Sequence, residues 1–242
     1  MRLPNPLTPA RLVRRYKRFL ADARLEATGE VVTAHIANSG SMMGLKEPDS
    51  RIWLSRSDNP KRKLAFSWEL CELPEGGWSG VSTANPNRIV EEALRAGRVA
   101  EAADYREIRR EVAYGKASRV DFLATREDGA RLFIEVKNVH LRRVGDLAEF
   151  PDSVTARGAK HLEELGDQVE QGDRALMLYV IQRTDCARFA LAADLDPDYV
   201  KGFRRARARG VEAVAYKCDI TPPDAVDGAA ITLSQPAPIE EP

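Results

Sequence analysis

The most apolar stretch of the chain, RALMLYVIQR at 174–183, runs without a polar interruption from Ala175 to Ile181. It is too short to span a membrane and matches a strand buried on both faces. Around it the periodicity switches. NPNRIVEEALRAG predicts a helix with Asn85 or Asn87 as cap, Pro86 early and Gly97 closing. PDSVTARGAKHLEELGDQVEQG predicts a second, with Val154, Ala159, Leu162, Leu165 and Val169 as its buried stripe. DPDYVKGFRRARARG predicts a third, ending at Gly210. REIRREVAYGKASRVDFLATREDGARLFIEVKNVHL reads as three consecutive strands, and VEAVAYKCDI as a last one. The resulting order over 83–220 is α-β-β-β-α-β-α-β. Residues 221–242, with prolines and few large apolar side chains, are expected to form a flexible tail.

The first 82 residues have a different texture. EVVTAHIAN, SRIWLSRSD, LAFSWELCEL and GWSGVSTAN are short strand-like runs separated by turn-rich pieces such as SDNPKRK and PEGG. Several short strands at roughly ten-residue spacing predict a small barrel or sandwich. RLVRRYKRFLADARL stands apart, because Leu12, Val13, Tyr16, Phe19 and Leu20 fit a helical stripe.

The hairpin over 119–141 raises a chemical question, because Glu135 and Lys137 interrupt an apolar strand and share one of its faces. A two-residue loop at Asp128-Gly129 would set Asp121 opposite Val136 and mix charged and apolar residues on both faces. A three-residue loop, Glu127-Asp128-Gly129 with Gly129 left-handed, pairs Arg126 with Ala130. Val120, Phe122 and Ala124 then oppose Val136, Ile134 and Leu132, and Asp121 falls opposite Glu135. The cleaner pattern selects this second register. Two carboxylates so placed repel unless one is protonated or a cation sits between them. Mg²⁺ takes one or two carboxylates plus water, and a nearby lysine can stabilise charge on a phosphate. The bare pattern is equally compatible with a surface ion pair on an edge strand, although this is the only [DE]-x-K in the chain.

Composition narrows the class. The chain has 242 residues, 43% hydrophobic and 31% charged, which fits an ordinary globular protein of one or two domains. Three scattered cysteines without a CxxC argue against a disulfide framework or zinc cluster and fit a cytoplasmic location. The amino terminus lacks the apolar segment of a signal peptide, and no membrane association is expected. Lys and Arg outnumber Asp and Glu by 13 to 9 over residues 1–80, against 24 to 28 afterwards. This mild basic bias is compatible with a polyanionic partner. Arg14, Arg15, Lys17, Arg18, Lys61, Arg62 and Lys63, interleaved with Tyr16, Phe19 and Trp53, are the candidate nucleic-acid contacts there. Tyr16 and Phe19 read more readily as core. On the second helix, Arg157, His161 and Gln168 lie near one face. Arg157 and His161 are further candidates, and Gln168 reads as solvated. Asp152 reads as a charge facing the helix dipole, and the FRRARARG stripe as a solvated face.

NRIVEEAL, SRVDFL, FIEVKNVHL, FPDSVTARGAKHLEEL, LYVIQR and VEAVAYKCDI, in this order over nearly the whole chain, resemble the sugar fermentation stimulation protein A family. The resemblance implies an OB-like N-terminal barrel over 1–82 and, over 83–220, a mixed α/β domain similar to the PD-(D/E)XK nuclease superfamily. It further implies DNA as partner, with little sequence specificity, and an association with regulation of sugar-utilisation genes. Carried over, Asp121 and Glu135 match the metal-binding acids, for Mg²⁺ or Mn²⁺, and Lys137 the lysine of the E-x-K strand. Glu91, or else Glu92, matches the first-helix glutamate. It also implies that RLVRRYKRFLADARL is a barrel strand. One departure is that Asp121 follows Arg119-Val120, without the superfamily's proline. The two functions implied are a metal-dependent nuclease and a non-cleaving DNA-binding regulator with a vestigial site.

Overall fold

A run such as Ala175–Ile181 can be buried on both faces only in the interior of a sheet with layers above and below it. That is where the structure, a computed structural model describing residues 1–115 and 118–240, places it. Lys116, Ala117, Glu241 and Pro242 lie outside the described residues. The second half of the chain contains α1 (Asn85–Arg95), then the antiparallel strands that are numbered β7 (Glu107–Tyr114), β8 (Ser118–Thr125) and β9 (Arg131–Val139) after six strands of the first half. A small pair follows, β10 (Leu141–Arg142) and β11 (Leu147–Phe150), then α2 (Ala156–Glu170), β12 (Arg174–Ile181), β13 (Arg188–Leu191), α3 (Pro197–Ala208) and β14 (Glu212–Thr221). Last come β15 (Ala230–Ala237) and β16 (Ile239–Glu240). The main sheet has the order β15-β14-β12-β9-β8-β7, with β12 parallel to both neighbours. One face packs on α1 through Ile89, Val90, Ala93 and Leu94, and the other on α2 and α3 through Leu162, Leu165, Tyr199 and Phe203.

The first half forms a barrel from β1 (Leu7–Tyr16), β2 (Leu20–Leu25), β3 (Val31–His35), β4 (Arg51–Arg56) and β5 (Phe66–Glu72), with β6 (Trp78–Gly80) appended to β5. Pairing of β3 with β5 closes it. Its core holds Ala10, Leu12, Ala21, Ile36, Ile52, Leu54 and Trp68. Mixed α/β architecture with an OB-like barrel followed by a three-helix sheet domain is therefore the fold.

Four expectations are corrected by this fold. The helical rhythm of RLVRRYKRFLADARL gives way to barrel strand, as the family resemblance implies: β1 and β2 form a hairpin with Lys17 and Arg18 at positive φ in the turn. Of the supposed stripe only Leu12 is buried, while Val13 and Phe19 are exposed. The 221–242 segment is not a loose tail, since β15 pairs antiparallel with β14 and buries Ile231 and Leu233 in the α1-side core. Its apolar residues alternate, and period two suffices for an edge strand. Neither Asn85 nor Asn87 caps α1: Ala84 occupies that position, without a side-chain cap. The buried stripe of α2 is rotated, with Val154 exposed ahead of the helix and His161, Glu164 and Gln168 buried beside Leu162 and Leu165. Gln168 is thus not solvated.

The basic stripe of α3 also has a structural use. Arg205 and Arg209 pair with Glu163, and Arg209 also with Asp167 and Glu170, tying α3 to α2. The chain's first residues cross to the second half: Leu3 N–H donates to the Ala229 carbonyl, and Met1 and Leu3 enter its core.

Candidate active site

The β8–β9 hairpin forms in the register with Gly129 left-handed (φ 85°) and Arg126 N–H donating to the Ala130 carbonyl at 2.9 Å. Its pairs are Thr125 with Arg131, Ala124 with Leu132, Leu123 with Phe133 and Phe122 with Ile134. The next pair in this series would be Asp121 with Glu135, but the ladder stops one step short. Across β8, pairing with β7 also skips Asp121, opposite Glu111, which adopts φ 50°. Val120 consequently leaves the expected face and packs with the α2-side core, while Phe122, Ala124, Leu132, Ile134 and Val136 keep the apolar face toward α1.

Asp121 occupies the opening where β8 and β9 part. Its Oδ2 accepts the Val136 amide at 2.8 Å, and its Oδ1 accepts Asn87 Nδ2, from the first turn of α1, at 2.7 Å. Glu135 is 3% exposed. Its Oε1 accepts from Lys137 Nζ at 2.6 Å and makes a short contact with His161 Nδ1. Arg157 Nε donates to His161 Nε2 at 3.3 Å, so the ring is an acceptor there and Nδ1 carries the proton given to Glu135. Glu135 Oε2 is buried with no hydrogen-bond partner.

This asymmetry separates the two acids. Burial, and then the Glu135 charge, push Asp121 above the ordinary aspartate range against its two hydrogen bonds. Burial opposes ionisation of Glu135 too, but the His161 and Lys137 contacts outweigh it and hold Glu135 below the usual range. The bare Oε2 beside a reluctant Asp121 carboxylate fits a cation better than a proton-only pair, because a cation relieves both the unmade bond and the repulsion. Among the described residues, no three His, Cys, Asp or Glu side chains converge to hold a metal. Two carboxylates completed by water could seat a divalent ion. Asp121 and Glu135 would hold the ion.

The other sequence candidates are distributed unevenly. His161 joins Glu135, and Arg157 lies over it. Glu91 does not reach the pair: Arg95 and Arg110 hold its carboxylate, at 3.0 and 2.7 Å. Glu92 pairs with the terminal amine of Met1. The α1 residue that does touch the site is Asn87, whose sequence signal is that of a cap. A pocket of about 340 Å³ lies over His161, and Arg119, Arg157 and Lys160 surround it with Glu111 and Ser118. Arg119 and Lys160 carry no sequence signal beyond charge.

On the barrel, Lys17, Arg18, Lys61, Arg62 and Lys63 are exposed, as is Phe19, which stacks on His35 at 6.4 Å. Tyr16 is half-buried and donates to Asp22, which also pairs with Arg14. Arg15 is different: its guanidinium donates to the carbonyls of Arg18, Asn38 and Gly40, so it clamps a loop. A cleft of about 760 Å³ separates barrel from sheet domain, with Arg18 and Lys46 on one wall and Asn138, His140 and Asp152 on the other. Burial pushes His140 down to about 4, so it is neutral near pH 7. Asp152 is no helix-dipole partner; it accepts the Met42 amide at 3.2 Å and packs against Gly40, where a Cβ would lie 2.4 Å from its oxygen. Among the described residues no helix is long and apolar enough to cross a membrane.

Comparison with known proteins agrees with this architecture. Residues 13–81 match the family model described as the SfsA N-terminal OB domain, and 84–224 that of the Sugar fermentation stimulation protein RE domain. The chain is 54% identical over 240 residues to a sugar fermentation stimulation protein homolog of Dinoroseobacter shibae, covering 99% of this chain and 96% of that one. It is 52% identical over 238 residues to the homolog of Rhizobium meliloti, covering 98% and 99%. Among solved structures, SfsA of Pyrococcus furiosus in complex with Ca²⁺ superposes with a TM-score of 0.86 at 24% identity, over 99% and 98% of the two chains. At that identity the likeness concerns the fold.

Proposed function

This chain belongs to the sugar fermentation stimulation protein family, and from that premise we propose that it is a DNA-binding protein with a Mg²⁺-dependent phosphodiesterase site at Asp121, Glu135 and Lys137. The observation that carries the reading is the buried Glu135 carboxylate, anchored on one oxygen by Lys137 and His161 and bare on the other. The Ca²⁺ held by the Pyrococcus furiosus relative is consistent with a divalent ion here. Such an ion, when bound, supplies charge neutralisation on a phosphate and a more acidic water. The chain's own residues do the rest. Asp121 and Glu135 present oxygens from two strands, and Asn87 and the Val136 amide fix the first of them. His161 fixes the second. Lys137, on the same strand face as Glu135, is placed to stabilise charge on a phosphate. Arg119, Arg157 and Lys160 around the pocket, and Lys17, Arg18, Lys61, Arg62 and Lys63 on the barrel, suit the DNA backbone on either side. Arg14 and Arg15 contribute positive field although their side chains are engaged. Cytoplasmic location and low sequence specificity complete the proposal.

A non-cleaving regulator is the second reading, favoured by Glu91 being held by arginines and by the lack of a third converging ligand among the described residues. Plasmid and single-stranded DNA incubated with Mg²⁺, Mn²⁺ or EDTA separates the two. Cleavage that vanishes in Glu135→Gln and Lys137→Met, with DNA binding in EDTA retained, supports the phosphodiesterase. Wild-type protein that binds DNA and cuts nothing with either ion selects the regulator.

A further inference from the structure

Three buried side chains near the site carry polar atoms that the protein itself leaves unanswered. Tyr114 Oη, Glu135 Oε2 and both Glu164 oxygens lack hydrogen-bond partners, and these residues are 8, 3 and 6% exposed. Glu164 has one ionic contact, Lys160 Nζ at 3.5 Å from Oε1. Isolated orphans of this kind are costly and rare, so several in one neighbourhood point to a shared guest.

The fold brings them to one neighbourhood. Tyr114 ends β7, and its ring packs on Phe133, which shares a face of β9 with Glu135. Glu164 lies one helical turn beyond His161, the residue that touches Glu135. The next residue after Tyr114 is Gly115 at φ 57°, where a Cβ would stand 2.9 Å from Glu164 Oε1. A glycine there lets the Glu164 carboxylate lie against the turn. Burial, then the charges of Glu135, Glu164 and Asp121, push the Tyr114 hydroxyl pKa up.

The guest's chemistry follows from the atoms. Unpartnered carboxylate oxygens call for hydrogen-bond donors, and a cluster of acids disfavours an anion, so the guest donates and is not anionic. The acids do not converge closely enough to ligate one ion together. A hydrated cation meets both conditions, since Mg²⁺ keeps several waters whose protons seek acceptors.

We infer that Glu164 and Tyr114 are positioning residues that hold the water shell of a divalent cation seated on Asp121 and Glu135. The inference rests on the seat proposed above. It assigns the α2 acid and the β7 hydroxyl a role in metal affinity without direct ligation, and outer partners of this kind typically change affinity 10–100-fold when removed.

Calorimetric titration of Mg²⁺ and of Mn²⁺ into the full chain, without nucleic acid, tests it. Glu164→Gln and Tyr114→Phe should each weaken binding about 10–100-fold. Tyr114→Phe alters no charge, and Glu163→Gln, an exposed neighbour, removes the same charge as Glu164→Gln and should shift affinity less than about twofold. In EDTA, both site variants should melt at or above the wild-type temperature, because the atoms they alter have no hydrogen-bond partner without the ion and Glu164 loses only its contact at 3.5 Å with the exposed Lys160. Unchanged affinity in either folded site variant, or an equal loss in Glu163→Gln, overturns the inference and leaves the seat intact. A wild type that binds neither ion removes the seat, and with it this role.

Discussion

Asp121→Asn should stabilise the metal-free protein and destabilise it relative to wild type once Mg²⁺ is present. Asp121 and Glu135 come from adjacent strands where the ladder has parted, and burial and then the Glu135 charge raise the Asp121 pKa. At an effective dielectric constant of about 20, two unit charges on the order of 5 Å apart repel by about 3 kcal/mol. Asparagine removes this repulsion and the burial penalty of the charge. Its one oxygen can still accept the Val136 amide, while its Nδ2 needs the Asn87 amide to flip and accept instead, so two charge-assisted hydrogen bonds become neutral ones at a cost of about 1 kcal/mol each. The balance favours the variant by about 1–2 kcal/mol, or roughly 2–8 °C in melting temperature for a chain of this size. The sign agrees with the raised pKa of Asp121. A carboxyl whose pKa is raised by folding contributes its stability below the unfolded value, near 3.8, and loses it as pH rises through the folded value. The advantage of Asp121→Asn should therefore be absent below about pH 4 and full at about pH 7.5. With Mg²⁺ at about 100 times its Kd, wild type gains about 2.7 kcal/mol and the variant little, so the two stability curves change order. Urea unfolding in EDTA and in Mg²⁺, at both pH values, measures all of this. A variant less stable than wild type in EDTA at the higher pH refutes the repulsion, and equal Mg²⁺ gains refute Asp121 as the seat.

Removing Lys17, Arg18 and Arg157 together should flatten the log–log salt dependence of duplex binding by about 0.9 for each phosphate no longer neutralised. An unchanged slope in the folded variant moves the binding surface elsewhere. Arg15→Ala should instead cost about 1–3 kcal/mol of stability in urea unfolding, because four carbonyls, of Arg18, Asn38, Gly40 and Ser41, lose a donor; a pure affinity loss at wild-type stability contradicts the clamp. A chain ending at Gly228 should lose cooperative unfolding, since β15 and its buried Ile231 and Leu233 go with it. A normal melting transition from that truncation would return the segment to a dispensable tail.

What could be read from the sequence is what depends on local alternation. The register of β8 and β9 follows from six apolar residues and one glycine, and β12 from its unbroken run. The errors arise where a turn or a kink falls inside a pattern. Lys17 and Arg18 fold the chain back on itself, so Leu12, Tyr16 and Phe19 stand in a helical rhythm although the hairpin turn divides them. Glu111 kinks β7 and turns Val120 to the other face. On α2 a polar series at helical spacing, His161, Glu164 and Gln168, is as buried as the leucines beside it. A stripe counted on apolar residues alone passes over it.

The site itself was half legible for a related reason. Glu135 and Lys137 announce themselves by sitting inside an apolar strand, and Asp121 follows from the register. Asn87 does not, because its bond to Asp121 spans 34 positions and two elements whose docking no local pattern fixes. The ladder break ties these residues together. Had β8 and β9 stayed paired past Phe122, the Val136 amide would have been available for a bond across the hairpin, and the Asp121 carboxylate would have lost its backbone anchor. Because the strands part there, a backbone donor is left over, and the half-buried Asp121 carboxylate is the acceptor that answers it. The same parting leaves Glu135 without a partner on β8, although Met177 of β12 pairs with it on the other side, and its Oε2 has no hydrogen-bond partner. A charged pair is tolerable at this point in the sheet because the ladder has parted there and Lys137 and His161 answer the Glu135 carboxylate.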